Sequence, residues 1–246
     1  RIFKRIIPTF LKIYIKLLKK NEIIIRHNDI NLKLNLFNPI DREIFLKGNY
    51  EKKQIDCLLN FIKDNKIIYF IDIGAHMGFY SLIISNLKIK VFSFEPVKNN
   101  FKQLNENKKL NKFENMEIYN FALSNKEKQV EMWVPNKEKS GGYTIYDPKD
   151  EELEKYDIRK INKEQCISKI GDNIIKIKNE KVAIKIDVER HELNVLDGLN
   201  NFLKENDIIL QIELFEDRRD NIIKYLEEHN FKHINTIKKD FYFKNF

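Results

Sequence analysis

Between residues 67 and 124 apolar runs of strand length alternate with turns and amphipathic stretches: IIYFIDIG before 77–87, KVFSFEP before 97–110, then MEIYNFAL. Strands that alternate with helices in this way pair in parallel, and the crossovers between them are right-handed. The pattern resumes with KVAIKIDVE, a helix over 191–204, DIILQIELF and a helix over 218–229. Two short runs, FKHINTI and KDFYFKNF, follow closely enough to pair as an antiparallel hairpin. The expectation is an α/β fold: a mostly parallel sheet, helices on both faces, and an antiparallel strand late in the chain.

Outside that alternation the chain reads differently. Residues 22–36, EIIIRHNDINLKLNL, form two alternating runs around a His-Asn-Asp turn, a hairpin signal, and 40–65 reads as helical. Residues 1–65 are therefore expected to be a helical and hairpin extension, and 66–246 the main domain. An irregular inserted region spans about 124–178, with a strand at QVEMWV and further short strands. Its polar loop over 136–150 holds Gly141, Gly142, Tyr143, Thr144 and Tyr146, groups that suit a lid over a sugar as well as an ordinary surface loop.

The opening segment RIFKRIIPTFLKIYIKLLKK mixes apolar bulk with seven basic residues. An N-terminal helix packing Phe3, Ile7, Phe10, Tyr14 and Leu18 on the domain, interrupted near Pro8, is the expectation; peripheral membrane contact through 1–20 is the alternative. No stretch reaches the roughly 18 apolar residues of a membrane span. Only Cys57 and Cys166 are present, too few for a disulfide scaffold or a four-thiolate metal site, so a reducing, cytoplasmic setting is expected. A formal charge of +8 suits anionic partners without naming one, and nothing in the chain fixes an oligomeric state.

In such sheets ligands bind beyond the carboxyl ends of the strands, and four ends here are acidic. Asp72 ends a strand in FIDIGAHMGFYS, where Gly74 and Gly78 permit tight turning. The spacing is GxxxG with His76 where a dinucleotide fingerprint has its middle glycine, which disfavours a pyrophosphate, and the negative charge of Asp72 beside the turn suits a ligand with an amino group. Glu95 in VFSFEP, 23 positions on, is placed to accept hydrogen bonds from both hydroxyls of an adenosine ribose. The third and fourth ends are Asp187 with Glu189 in KIDVERHE, and Glu213 in QIELFE.

FIDIGAHMGFYS, FSFEP, NENKKLN, YNFALS, KIDVERHELNVLDG and ILQIELFE occur in this order over residues 65–216. On these motifs the chain resembles the FkbM-type S-adenosylmethionine-dependent methyltransferases. The resemblance implies a Rossmann-like class I methyltransferase fold with a seven-stranded sheet, and methyl transfer to oxygen on small or carbohydrate-type acceptors. It also implies that Asp72, Gly74, Ala75, His76 and Gly78 hold the methionine and ribose side of the cofactor. Glu95 and Pro96 would lie at the ribose, and Ala122 and Leu123 at the adenine, with Asn111 and Ser124 as neighbours of that pocket. Arg190 stands where the family usually has Gly, as either an acceptor-phosphate ligand or an exposed turn residue.

Methyl transfer is an in-line displacement, so the protein must align the acceptor oxygen and receive its proton. Asp187 is the first candidate for this work, with Glu189 and His191 behind it. Asp187 with Glu213 would also suit a divalent cation such as Mg²⁺ or Mn²⁺. Glu192 reads as a solvated charge at a helix N-terminus. The expected partner is a small-molecule acceptor, a sugar or sugar nucleotide, and not nucleic acid, since no Asn/Asp-Pro-Pro-aromatic motif is present. Abundant Lys, Asn and Ile fit an A+T-rich, bacterial genome, which makes surface-polysaccharide biosynthesis the expected setting. An NAD-dependent oxidoreductase and a basic, non-catalytic RNA- or lipid-binding module are the alternatives.

Overall fold

The alternating runs assemble into one seven-stranded sheet. The computed structural model describes residues 21–48, 50–135 and 161–246, with backbone alone at 133–135 and 161–162. A hairpin of β1 (Glu22–His27) and β2 (Ile30–Asn35) leads to helices α1 (Pro39–Lys47) and α2 (Lys52–Asp64). Next come β3 (Tyr69–Ile73), α3 (Phe79–Ser85), β4 (Lys90–Phe94), α4 (Lys98–Asn111), β5 (Met116–Tyr119) and β6 (Ala122–Ser124). The chain continues through β7 (Lys128–Pro135), β8 (Ile161–Ile170), α5 (Gly171–Ile174), β9 (Lys181–Ile186), α6 (Glu192–Gly198) and α7 (Asn200–Glu205). It ends with β10 (Asp207–Glu213), α8 (Arg219–Glu228), β11 (Lys232–Ile237) and β12 (Asp240–Lys244). The expected N-terminal helix and the 136–150 loop lie outside the described residues.

The main sheet runs β11-β12-β10-β9-β3-β4-β5. The five strands from β10 to β5 are parallel, and β12 is antiparallel to both neighbours, so the terminal hairpin is present with its second strand inserted beside β10. Three expectations need correction. MEIYNFAL is two strands in different sheets, because Asn120 turns the chain by donating its amide to the carbonyls of Glu95 and Pro96, 2.9 and 3.0 Å away. The helix over 191–204 is two helices, because Asp172 accepts the N–H groups of Asn201 and Phe202 at 3.0 and 2.8 Å and starts α7 afresh. The short strands expected before residue 171 are one ten-residue strand, β8, pairing with β6 and β7.

Each sheet face buries its own apolar cluster. Phe70, Ala183 and Ile209 join the hairpin residues Ile30, Leu32 and Leu34 on one side, and Ile71, Ile184 and Leu210 face the other. One row nearer the carboxyl ends, Ser93, Asp72, Lys185 and Gln211 stand side by side on four strands, all buried. The extension is fastened by amide side chains that imitate a neighbouring strand. Asn111 bonds both the N–H and the C=O of Asn31, each at 2.7 Å, while Asn107 accepts from Lys33 N at 2.7 Å and Gln103 donates to Lys33 O at 3.0 Å. The outer edge of β2 is thereby closed, which removes a template for pairing with another chain.

Candidate active site

The turn after β3 explains its glycines. Gly74 has φ +86°, and a Cβ there would lie 1.9 Å from the carbonyl oxygen of Asp187, the residue that follows the neighbouring strand β9. The Asp187 N–H donates to Ile73 O at 3.0 Å, so the two strand ends stay joined beside this gap. Gly78 at φ +90° lets Leu104 of α4 pack where a side chain would stand. His76 adopts φ 51° between them and gives its N–H to Glu95 Oε2 at 2.8 Å.

Beyond the strands opens a cleft. Gly74, His76, Glu95, Pro96, Ala122, Leu123, Asp187, Glu189 and His191 all line it, so most of the sequence-predicted residues meet in one place. Asp72 does not line it: it sits one row back, 1 % exposed, with Oδ2 accepting from Ser81 Oγ at 2.5 Å. Asn111 is also elsewhere, in the clamp on β2 described above. Ser124 is buried behind the lining and meets it through its Oγ, 3.0 Å from His191 Nε2. Ile40, Asn100, Met132 and Val188 complete the wall, and of these only Val188 falls within a motif, KIDVERHE, that the sequence marked.

The two ends of the cleft differ chemically. At one, Ile73, Phe94, Ala122, Leu123 and Met132 make an apolar slot next to Glu95. Burial pushes the Glu95 carboxyl up to about 7, opposed by the N–H groups of Val97 and His76 that its oxygens accept. At the other, one oxygen each of Asp187, Glu189 and Glu213 lie within 4.8 Å of one another. Asp187 stays below the usual carboxylate range because the buried Lys185 ammonium is 2.8 Å from its Oδ2, outweighing its own burial together with other hydrogen bonds. Burial and the Asp187 charge push Glu213 up to about 8, and Glu189 up to about 7.

Burial lowers His191 to about 4, with Lys128 and Arg218 adding repulsion, so its imidazole is neutral at physiological pH. Glu192 is buried rather than solvated and accepts the Arg190 N–H at 2.8 Å, a correction to the sequence expectation. The residues present fit S-adenosylmethionine: an apolar slot, a buried carboxylate facing it, and a glycine cradle that any Cβ would fill. They fit a divalent cation in donor type only, since a lysine and a retained proton already offset the charge of the carboxylates.

No curated protein matches the chain. Among solved structures it is similar to a methyltransferase FkbM from Methylobacillus flagellatus KT, at 17% identity and TM-score 0.47, with 72% of this chain and 43% of that one covered. The chain thus spans less than half the length of that protein. It is also similar to TYW2 of M. jannaschii in complex with AdoMet, at 15% identity and TM-score 0.46, covering 91% of this chain and 84% of the other. The rRNA methylase of Streptococcus thermophilus shows 11% identity and TM-score 0.40, with 72% and 84% covered. The seven strands, in the order set out above with one antiparallel member, make a Rossmann-like class I methyltransferase fold. The family model described as the methyltransferase FkbM domain matches residues 72–233, from the first acidic strand end into β11, and the chain belongs to that family.

Proposed function

We propose that the chain transfers the methyl group of S-adenosylmethionine to a hydroxyl of a sugar, sugar nucleotide or glycan intermediate, in bacterial surface-polysaccharide biosynthesis in the cytoplasm. The supporting observation is that a single cleft runs from an apolar, Glu95-bearing end suited to adenosine to a carboxylate-bearing end suited to a polyhydroxyl acceptor. When bound, the cofactor supplies an electrophilic methyl carbon. In this reading Gly74, Ala75 and Gly78 shape the turn beneath it, Glu95 accepts from the ribose hydroxyls, and Ala122 and Leu123 pack on the adenine.

Asp187 orients the acceptor hydroxyl and takes its proton as the C–O bond forms and the C–S bond breaks. It is the one member of its trio held ionised by a buried lysine, and so the one ready to accept. Glu189 and His191 are second choices for the same step. A divalent cation on Asp187 and Glu213 is a second reading, favoured by the 4.8 Å grouping.

The test is calorimetric titration with S-adenosylhomocysteine beside NAD, each repeated with EDTA and with Mn²⁺. Methyl transfer from labelled cofactor to a panel of nucleotide sugars follows. Micromolar S-adenosylhomocysteine affinity supports the reading. A folded sample that binds none, with or without metal, overturns it, and affinity and transfer indifferent to EDTA and Mn²⁺ remove the cation.

A further inference from the structure

The turn that follows β9 is folded in an unusual way. Glu189 and Arg190 are consecutive non-glycine residues in the left-handed region, at φ 48° and 77°. Such a conformation persists only where surrounding contacts impose it. Here they come from the segment that follows β10. The Arg190 guanidinium is 2.7 Å from Asp217 Oδ2 and lies over the Phe215 ring, 5.4 Å from its centre. Arg218 Nη1 donates to the Arg190 carbonyl at 2.7 Å, and the Arg190 N–H donates to Glu192.

We infer that Arg190, with Asp217 and Arg218, forms a strap that positions Glu189 and Glu213 on adjoining strand ends of the acceptor site. Three carboxylates share one small space there and repel one another. Phe215, Asp217 and Arg218 begin two residues after Glu213, while Arg190 directly follows Glu189, so the strap ties together the backbone supports of both acids. Arg190 is a positioning residue, and its guanidinium serves the protein's own fold instead of an acceptor phosphate. This explains how a chain can carry arginine where the left-handed backbone calls for glycine: the energy of the turn is recovered in contacts that glycine cannot make.

The positioning role rests on the methyltransferase reading, whereas the strap itself does not. Three variants of the full chain test both: Arg190→Gly, Asp217→Asn, and the double swap Arg190→Asp with Asp217→Arg. Amide hydrogen exchange followed by mass spectrometry should quicken at least tenfold over 188–192 and 214–218 in both single variants. Protection should return in the swap, with the thermal midpoint within 2 °C of wild type throughout, since Gly also relieves the turn. S-adenosylhomocysteine affinity should fall three- to tenfold in the single variants and recover in the swap, because Val188, Glu189 and His191 line the cleft.

Unchanged exchange in Asp217→Asn, or a swap that restores nothing, overturns the strap. Equal loss of midpoint and protection across the whole sheet overturns positioning in favour of general stability. A wild type that binds no S-adenosylhomocysteine while exchange responds as expected removes the methyltransferase reading and leaves the strap standing.

Discussion

Replacing Gly74 with alanine puts the sharpest geometric feature of the site under test. The added Cβ would stand 1.9 Å from the Asp187 carbonyl oxygen, where real Cβ contacts essentially never fall below 3.0 Å. One strand end must therefore retreat by about 1 Å, and the obstacle is backbone, which cannot swing aside as a side-chain tip does. The retreat breaks the Asp187 N–H to Ile73 O bond, worth about 1 kcal/mol. Holding an L-residue at φ +86° costs about 1–2 kcal/mol more. The sum, about 2–3 kcal/mol, lies in the upper part of the range for single substitutions.

Urea denaturation measures it directly, and the chain supplies its own control. Gly48 has φ +61° with nothing within 4 Å of where a Cβ would stand, so Gly48→Ala should lose only the conformational part, about 1 kcal/mol. If Gly74→Ala proves no more destabilising than Gly48→Ala, the argument from close strand approach is wrong. Cofactor affinity should follow the same order, because Gly74 lines the cleft and Gly48 does not.

Glu95→Gln should weaken S-adenosylhomocysteine binding about tenfold or more, since a charge-assisted acceptor worth about 1.5–3 kcal/mol is removed; calorimetry at pH 8 giving an affinity within threefold of wild type would sink the ribose assignment. Stability should fall as the pH rises from 6.5 to 9, measured as urea midpoints, with a flat profile as the refuting outcome. Below pH 6.5 two groups of residues oppose each other. His76 and His191, lowered to about 4, make stability rise with pH there, while Asp41, raised to about 6, and the raised glutamates Glu95, Glu189, Glu192 and Glu213 make it fall. Above it the raised carboxyls of Glu95, Glu189, Glu192 and Glu213 still lose protons, and each is more stable in the fold when protonated. Asp187→Asn should keep S-adenosylhomocysteine affinity within threefold while methyl transfer to any acceptor found by screening collapses; an active variant would remove Asp187 from the mechanism.

What the sequence disclosed depended on whether the cause was local. The strands, the GxxxG turn and the acidic strand ends were legible because period-two apolar runs and glycines carry their reasons within a few residues. Asp72 shared the motif but not the cleft, since its row on the strand aims it at Ser81, which pattern alone cannot show. The divisions at Asn120 and Leu199 escaped notice because their causes lie 24 and about 30 positions away, in the carbonyls of Glu95 and Pro96 and in Asp172. Asn111 looked like part of a cofactor motif, and its partner proved to be the β2 edge, 80 positions earlier. The cleft walls at Ile40 and Met132 come from the extension and the inserted strands, whose docking no local signal encodes.

The insertion of β12 between β10 and β11 has a consequence for biosynthesis. A ribosome delivers β10 and then β11 before β12 exists, so during elongation the central sheet ends at an open β10 edge. Ile209, Leu210 and Ile212 of that strand are fully buried only in the finished protein, and Tyr242 and Phe243 of β12 are fully buried as well. The nascent chain must therefore hold an unpaired apolar strand in waiting, and β11 cannot take its final seat, until residues 240–244 have cleared the exit tunnel.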